Sequence, residues 1–252
     1  MQTATIENTG ETAAARPGTT RRIGHTRFYL GLSLFVVAIV LAGFWPSYFG
    51  PMLRGNVARP LVVQLHGIVF VGWMVLLVVQ VAVAVRGDVG LHRRIGQWGI
   101  AYGCLVLAMG LAVGLAAPVM HANAGDWTRD RAAGFLLTTL GDMVLFGSFF
   151  GAAVWYKSRP EIHKRLMVVA TVALLFAAVG RTGLDSSPAL FEFVWLSPIL
   201  VGISYDWISR RRVHPAYIVG LVGLFVGSLR VMLEGSETWL VIGRPLLDAL
   251  RS

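Results

Sequence analysis

Apolar residues run along this chain in seven stretches of roughly twenty, at about residues 28–44, 61–85, 95–117, 133–156, 165–180, 189–208 and 216–233. Polar and helix-stopping residues separate them: the loop WPSYFGPMLRGNVARP at 45–60, Arg86-Gly87-Asp88, HANAGDWTRD at 121–130, Lys157 to Pro160, Ser186-Ser187-Pro188, and Arg210-Arg211-Arg212 before His214-Pro215. A helix of about 20 residues crosses a hydrocarbon core of about 30 Å, and proline favours the first helical turn. The pattern predicts an all-α fold, a polytopic membrane helix bundle of about seven transmembrane helices over residues 27–233. The sixth stretch is the most interrupted, because it carries Glu192 and Pro198. Residues 1–26 are polar and lack the apolar core of a signal peptide, so a disordered arm is expected there. A short tail is expected over 234–252.

Composition sharpens this picture. The chain is 56% hydrophobic and only 14% charged, with a mean hydropathy of +0.67, whereas soluble domains carry roughly 25% charged residues. A single cysteine, Cys104, excludes an internal disulfide framework. The net charge of +9 raises the question of nucleic acid, but its distribution answers otherwise. With seven spans, fourteen Lys and Arg residues fall on one side and seven on the other, leaving out Arg230 inside a span. Basic residues concentrate on the cytoplasmic side of membrane proteins. The N-terminus is therefore expected in the cytoplasm and the C-terminus outside, with the lipid bilayer rather than nucleic acid as the partner. The oligomeric state is left open.

Two hairpin turns repeat one motif. Residues 88–96 read DVGLHRRIG and residues 160–168 read PEIHKRLMV, so [Leu/Ile]-His-[Arg/Lys]-Arg-[Ile/Leu] occurs twice between long apolar stretches. An internal duplication of a two-helix hairpin would produce this. His92, His163 and His214 then share the cytoplasmic layer, each near a helix start, where unpaired N–H groups carry partial positive charge. Arg93, Arg94, Lys164 and Arg165 would add contacts to anionic lipid headgroups. The alternatives are plain interface anchoring, an anionic substrate, or axial ligation of haem b by two of the three histidines. No HxxxH or HExxH pair points to a metal site. Gly99, Gly103, Gly110 and Gly114 form two small-xxx-small pairs that would let a neighbouring helix approach closely.

A second polar layer lies inside the spans. His66, Trp73 and Gln80 recur every seven residues and share a helix face. Asp142 sits roughly 15 Å into its span and His66 roughly 9 Å into its own at 1.5 Å per residue, so a His66–Asp142 contact is geometrically possible; the competing reading makes Asp142 a buried partner to His66 or to an arginine that locks the bundle. Arg230 has Glu234 one turn on as its expected ion-pair partner, and Arg181 and Asp185 close the outer end of the fifth span. Ionisable groups at such depth are costly and mark functional cavities. His66, Asp142, Arg181, Asp185 and Arg230 are the candidate catalytic or transport residues.

The runs VQLHGIVFVGWMVLLVVQVAVAV, GLHRRIGQWG, EIHKRLM and RRRVHPAY resemble a group of uncharacterised bacterial multi-pass membrane proteins carrying LHRR and HKRL hairpin motifs. The resemblance covers most of the chain from about residue 28. It implies a bacterial inner membrane protein and no particular chemistry. A looser likeness, to di-haem transmembrane cytochromes of the ascorbate-reducing type, rests on His66, Gln80 and His92. It implies haem, although Asp142 stands where such a cytochrome supplies another ligand. A retinal protein is excluded, because the seventh stretch contains no lysine. Three activities remain: haem-based redox work, proton-coupled transport of a small molecule, and lipid modification. An accessory subunit without chemistry is the fourth reading.

Overall fold

The computed structural model describes residues 17–55 and 59–251, with side chains from Arg27 onward, that of Asp185 excepted. Helix α1 (Pro17–Phe44) continues through a widened turn at Trp45–Phe49 into α2 (Gly50–Leu53). Then come α3 (Leu61–Val85), α4 (Val89–Asn123), α5 (Arg129–Trp155), α6 (Pro160–Leu174), α7 (Phe176–Val179), α8 (Pro188–Arg210), α9 (Pro215–Ser228) and α10 (Glu237–Arg251). Among the described residues, seven segments are long and apolar enough to cross a membrane: Arg27–Leu53, Leu61–Val85, Val89–Asn123, Arg129–Trp155, Pro160–Val179, Pro188–Arg210 and Pro215–Leu233. This is the expected all-α architecture of an integral membrane protein. Helix α1 already begins at Pro17, within the stretch assigned to a disordered arm, and residues 1–16 lie outside the described residues.

Local chemistry places the helix starts. Asp88 caps α4 by accepting from the Leu91 N–H at 2.8 Å, and Thr128 caps α5 by accepting from the Arg131 N–H at 3.2 Å. Each satisfies an N–H that the first turn leaves without a partner. Pro160, Pro188 and Pro215 open α6, α8 and α9, where a missing N–H costs nothing.

Span five is the most enclosed of the seven, because α6 packs on α5, α8 and α9. Helix α3 is held between α1 and α4, and α4 packs on α5. The glycines of α4 work as expected in part. A Cβ on Gly103, Gly110 or Gly114 would collide with Phe150, Met143 or Thr139 of α5, whereas Gly99 faces Leu76 and Gln80 of α3. Three of them therefore set the α4–α5 approach. Outward-facing Ile68, Val75, Val144, Ile208, Val219 and Val222 are exposed and form a lipid-facing belt. Trp98, Trp155 and Trp207 stand exposed towards the end carrying both histidine motifs, matching an interfacial aromatic girdle. We call this the basic end.

At the opposite end the expected tail is the helix α10. Leu240 and Leu247 bury against Ala132, Ala133 and Leu136 of α5, and the Trp239 indole donates to the Ala133 carbonyl at 2.8 Å. Polar forks tie its outer side down. Arg244 meets both oxygens of Asp130, at 2.7 and 3.0 Å, and Arg129 meets both oxygens of Asp248. The hydrogen bonds from Arg129 hold the Asp248 carboxyl below its usual 3.8. A depressed carboxyl favours docking above its unfolded value and loses that contribution as pH falls through its folded value. Arg244 holds the Asp130 carboxyl down in the same way, so acidification below about pH 4 is expected to loosen α10, read as a change in Trp239 fluorescence that is smaller in Asp248→Asn and absent when Asp130→Asn is added. High salt should act in the same direction, since the pair is exposed.

Candidate intramembrane site

Arg230 is the centre of the polar layer near the α10 end. Span seven tightens into a 3-10 turn at Leu229–Leu233, and this turn directs the Arg230 side chain into the bundle, where it is only 9% exposed. Its guanidinium bonds the buried Asp142 carboxylate on α5, the Thr138 carbonyl at 3.3 Å and the Gly227 carbonyl at 2.5 Å. Phe176 lies beneath it, 4.8 Å from ring centre to Cζ. Gly141 is required here, because a Cβ would strike Arg230 Cδ and Nε. The Thr138 hydroxyl donates to Glu234, and Glu192 on α8 engages Ser228 and lies within electrostatic reach of Arg230. Glu192 Oε2 is enclosed without a hydrogen-bond partner.

This arrangement corrects two expectations. Arg230 pairs with Asp142 across helices, while Glu234, one turn on, turns to Thr138. His66 and Asp142 are not brought together. The His66 ring stacks near Phe70, 4.1 Å between centroids, its charged neighbour is Arg181, and its enclosed Nδ1 has no partner. Where α3 does reach α5, Trp73 packs edge-on against Phe146 and Phe150, nearer the basic end than either the imidazole or the carboxylate. Arg181 lies over the Phe44 ring at 4.6 Å and donates to the Ala177 carbonyl at 2.6 Å. It belongs to the α1–α7 junction rather than to the Arg230 cluster. The side chain of Asp185 lies outside those described.

Two spans depart from α-helical geometry around the aromatic cluster that supports Arg230, and a third carries a proline there. Span five breaks at Leu175, between α6 and α7, and the Trp195 indole donates to the Val172 carbonyl there at 2.8 Å. Span six contains Pro198, which cannot bond the Val194 carbonyl, and the Ser197 hydroxyl takes its place at 2.7 Å. Span seven carries the 3-10 turn already described. Phe176 joins them, packing edge-on to Phe191 and Trp195 at 4.9 Å each. Next to the cluster, Glu234 lines a pocket of about 300 Å³ with Asp130, Arg131, Gly134, Gly235, Glu237 and Leu240.

The basic end holds a separate network. Arg165 and Asp206 are both fully buried and meet through a two-point fork, Nε to Oδ2 at 2.9 Å and a terminal nitrogen to Oδ1 at 2.5 Å. Glu161 accepts from Lys164 at 2.7 Å, Arg165 at 2.9 Å and Arg210 at 2.7 Å. Arg165 and Lys164 were expected to meet lipid headgroups. Arg165 cannot, because its side chain is fully buried, and Lys164 is turned to Glu161 and over the Tyr29 ring at 4.9 Å. Arg93 and Arg94 remain exposed. Asp206 is the residue that sequence reasoning did not single out; its signal was a carboxylate four residues before Arg210, at the basic end of a span whose other acidic residue is Glu192.

The two histidine motifs occupy equivalent places. His92 and His163 are each the fourth residue of their helix, and each ring reaches back to the preceding helix. His92 Nδ1 lies 3.2 Å from the Gln80 carbonyl, and His163 Nδ1 lies 2.8 Å from the Ala153 carbonyl. A carbonyl only accepts, so Nδ1 of His163 carries the hydrogen. The Gln80 amide reinforces the first hairpin, accepting from the Gly96 N–H at 2.8 Å. His214 differs: its Nδ1 accepts from the Ala216 N–H at 3.1 Å as the cap of α9. Burial, followed by the positive charge of Arg165, holds this imidazole below its usual range, which suits an acceptor nitrogen. Among the described residues, no three His, Cys, Asp or Glu side chains converge to hold a metal ion. Compared with family models, with curated proteins and with solved structures, the chain matches none.

Proposed function

We propose that the protein is a proton-coupled carrier of small molecules, with its basic end facing the cytoplasm and Asp142–Arg230 as its coupling pair. The observation that carries this reading is the coincidence of locally irregular helices with buried charge around Arg230. Carriers place substrate and ion sites where transmembrane helices are interrupted, since freed backbone groups and low dielectric then act on the cargo. Charge balance points the same way. Three carboxyl groups, Asp142, Glu192 and Glu234, surround one guanidinium, and a proton arriving from the Glu234 pocket offsets the excess. Arg93 and Arg94 are the cations left to meet anionic lipid headgroups.

The test uses the purified protein in liposomes loaded with a pH-sensitive dye, challenged with a panel of small amines, carboxylates and sugars. At least one solute should evoke proton movement that Asp142→Asn abolishes. A panel without response, or an equal response from Asp142→Asn, overturns the proposal.

A second reading rests on His92 and His163, which lie within electrostatic reach of each other. Tying Nδ1 to a carbonyl is the usual orientation of an imidazole that offers Nε2 to iron. Bis-imidazole haem b there predicts a Soret band that shifts on reduction and is lost in His163→Ala. A colourless protein from haem-replete cells ends this reading. His66 cannot share that haem, because fourteen residues separate it from Gln80 on α3, roughly 21 Å of helix.

A further inference from the structure

A pocket at one end of the bundle reaches Glu234, which is linked to Arg230 through Thr138, while the other end is closed by ion pairs. We infer that the Glu161–Arg165–Asp206–Arg210 network is a gate, and that the structure is the state in which this gate is shut and the α10 end is open. The inference rests on the carrier reading and deepens it.

The network joins every span that would have to part. Arg165 on α6 holds Asp206 on α8, and Arg210 on α8 returns to Glu161 on α6 at 2.7 Å. Lys164 of α6 covers Tyr29 of α1, whose hydroxyl meets that of Tyr217 on α9 at 3.4 Å. The Arg165 guanidinium lies 5.5 Å from the Tyr217 ring centre, and the backbone N–H of His214, at the start of α9, reaches Asp206 at 3.3 Å. Towards the middle, fully buried Val169, Trp195, Ile199 and Leu224 form a dry layer, with Val169 packed so closely on Gly220 that a Cβ there would clash.

Two features suit a gate better than a permanent lock. Glu161, the hub for three cations, is 47% exposed on its side chain, so water can replace its partners as the spans separate. Arg165 and Asp206, by contrast, are fully enclosed, and each has a second partner one turn away on its own helix, Glu161 at 2.9 Å and Arg210 at 3.8 Å. When α8 parts from α6 the fork is exchanged for pairs within each helix, Arg165 with Glu161 and Asp206 with Arg210, so no buried charge is left naked, which is the costly outcome.

The test measures access at both ends in a Cys104→Ser background. One reporter is Ile203→Cys, one turn deeper than Asp206 on α8. The other is Gly235→Cys, which lines the opposite pocket and has open space around it. A charged, membrane-impermeant methanethiosulfonate is applied to each face. Glu161→Gln should raise the modification rate at position 203 about tenfold and lower that at position 235. Arg210→Gln, which removes one partner of the hub, should do the same more weakly and serves if Glu161→Gln does not fold. Rates unchanged at both ends, or raised at both as in a loosened protein, overturn the gate. Opposite changes without any solute-evoked proton movement would retire the carrier reading while leaving the two-state bundle standing.

Discussion

Alanine at position 206 is expected to cost the bundle about 3–5 kcal/mol, the penalty for leaving a buried charge without its partner. Asp206 and Arg165 are both fully buried, and the fork between them satisfies two guanidinium nitrogens and both carboxylate oxygens. Removing the carboxylate leaves Arg165 only the Glu161 side, reached through one terminal nitrogen. Chemical denaturation in detergent, following loss of helicity, measures the cost. The double variant Arg165→Met with Asp206→Leu should recover most of it, since apolar packing replaces a buried pair at little or no net loss. If Asp206→Ala unfolds like the parent, the enclosure of this pair is wrong.

The second large effect separates stability from activity at Arg230. Asp142→Asn and Arg230→Gln each leave one buried charge unbalanced, and each is expected to cost about 3 kcal/mol. Combined, the two neutral side chains keep similar shape and hydrogen-bonding capacity, so the double variant should regain most of that stability. Proton movement should not return, because the group that takes the proton is gone. Recovery of both, measured by denaturation and by the liposome assay, would assign Asp142–Arg230 a purely structural role. The two outcomes cannot be confused, because a lock needs only balance whereas coupling needs an ionisable carboxyl.

Much of the bundle could be read along the chain because hydrocarbon thickness imposes a length on apolar runs. Proline and acidic caps mark most of the breaks, so the spans over Leu61–Val85 and Pro188–Arg210 were expected almost to the residue. Helix α10 was missed because it is too short and too charged to read as a span, although Leu240, Gly243 and Leu247 recur at helical spacing along it. The depth of His66 and Asp142 was likewise legible at 1.5 Å per residue. Their rotation was not. Trp73, Phe146 and Phe150 occupy the α3–α5 contact, and Asp142 turns instead towards a 3-10 turn whose geometry no local motif announced.

The repeated histidine motif divides the two kinds of information most clearly. By itself the amino-acid sequence determined that two helical hairpins begin alike, that a basic collar rings one end, and that seven apolar helices need a membrane around them. It also placed His92 and His163 equivalently, because a first-turn imidazole reaches a carbonyl of the helix before it in both hairpins. The tertiary structure alone decided that Arg94 faces outward while Arg165, at the same place in the motif, is sealed against Asp206. Helix α6 is enclosed by α5, α8 and α9, whereas α4 keeps an open flank. Burial is set by what surrounds a helix, and those neighbours come from distant parts of the chain.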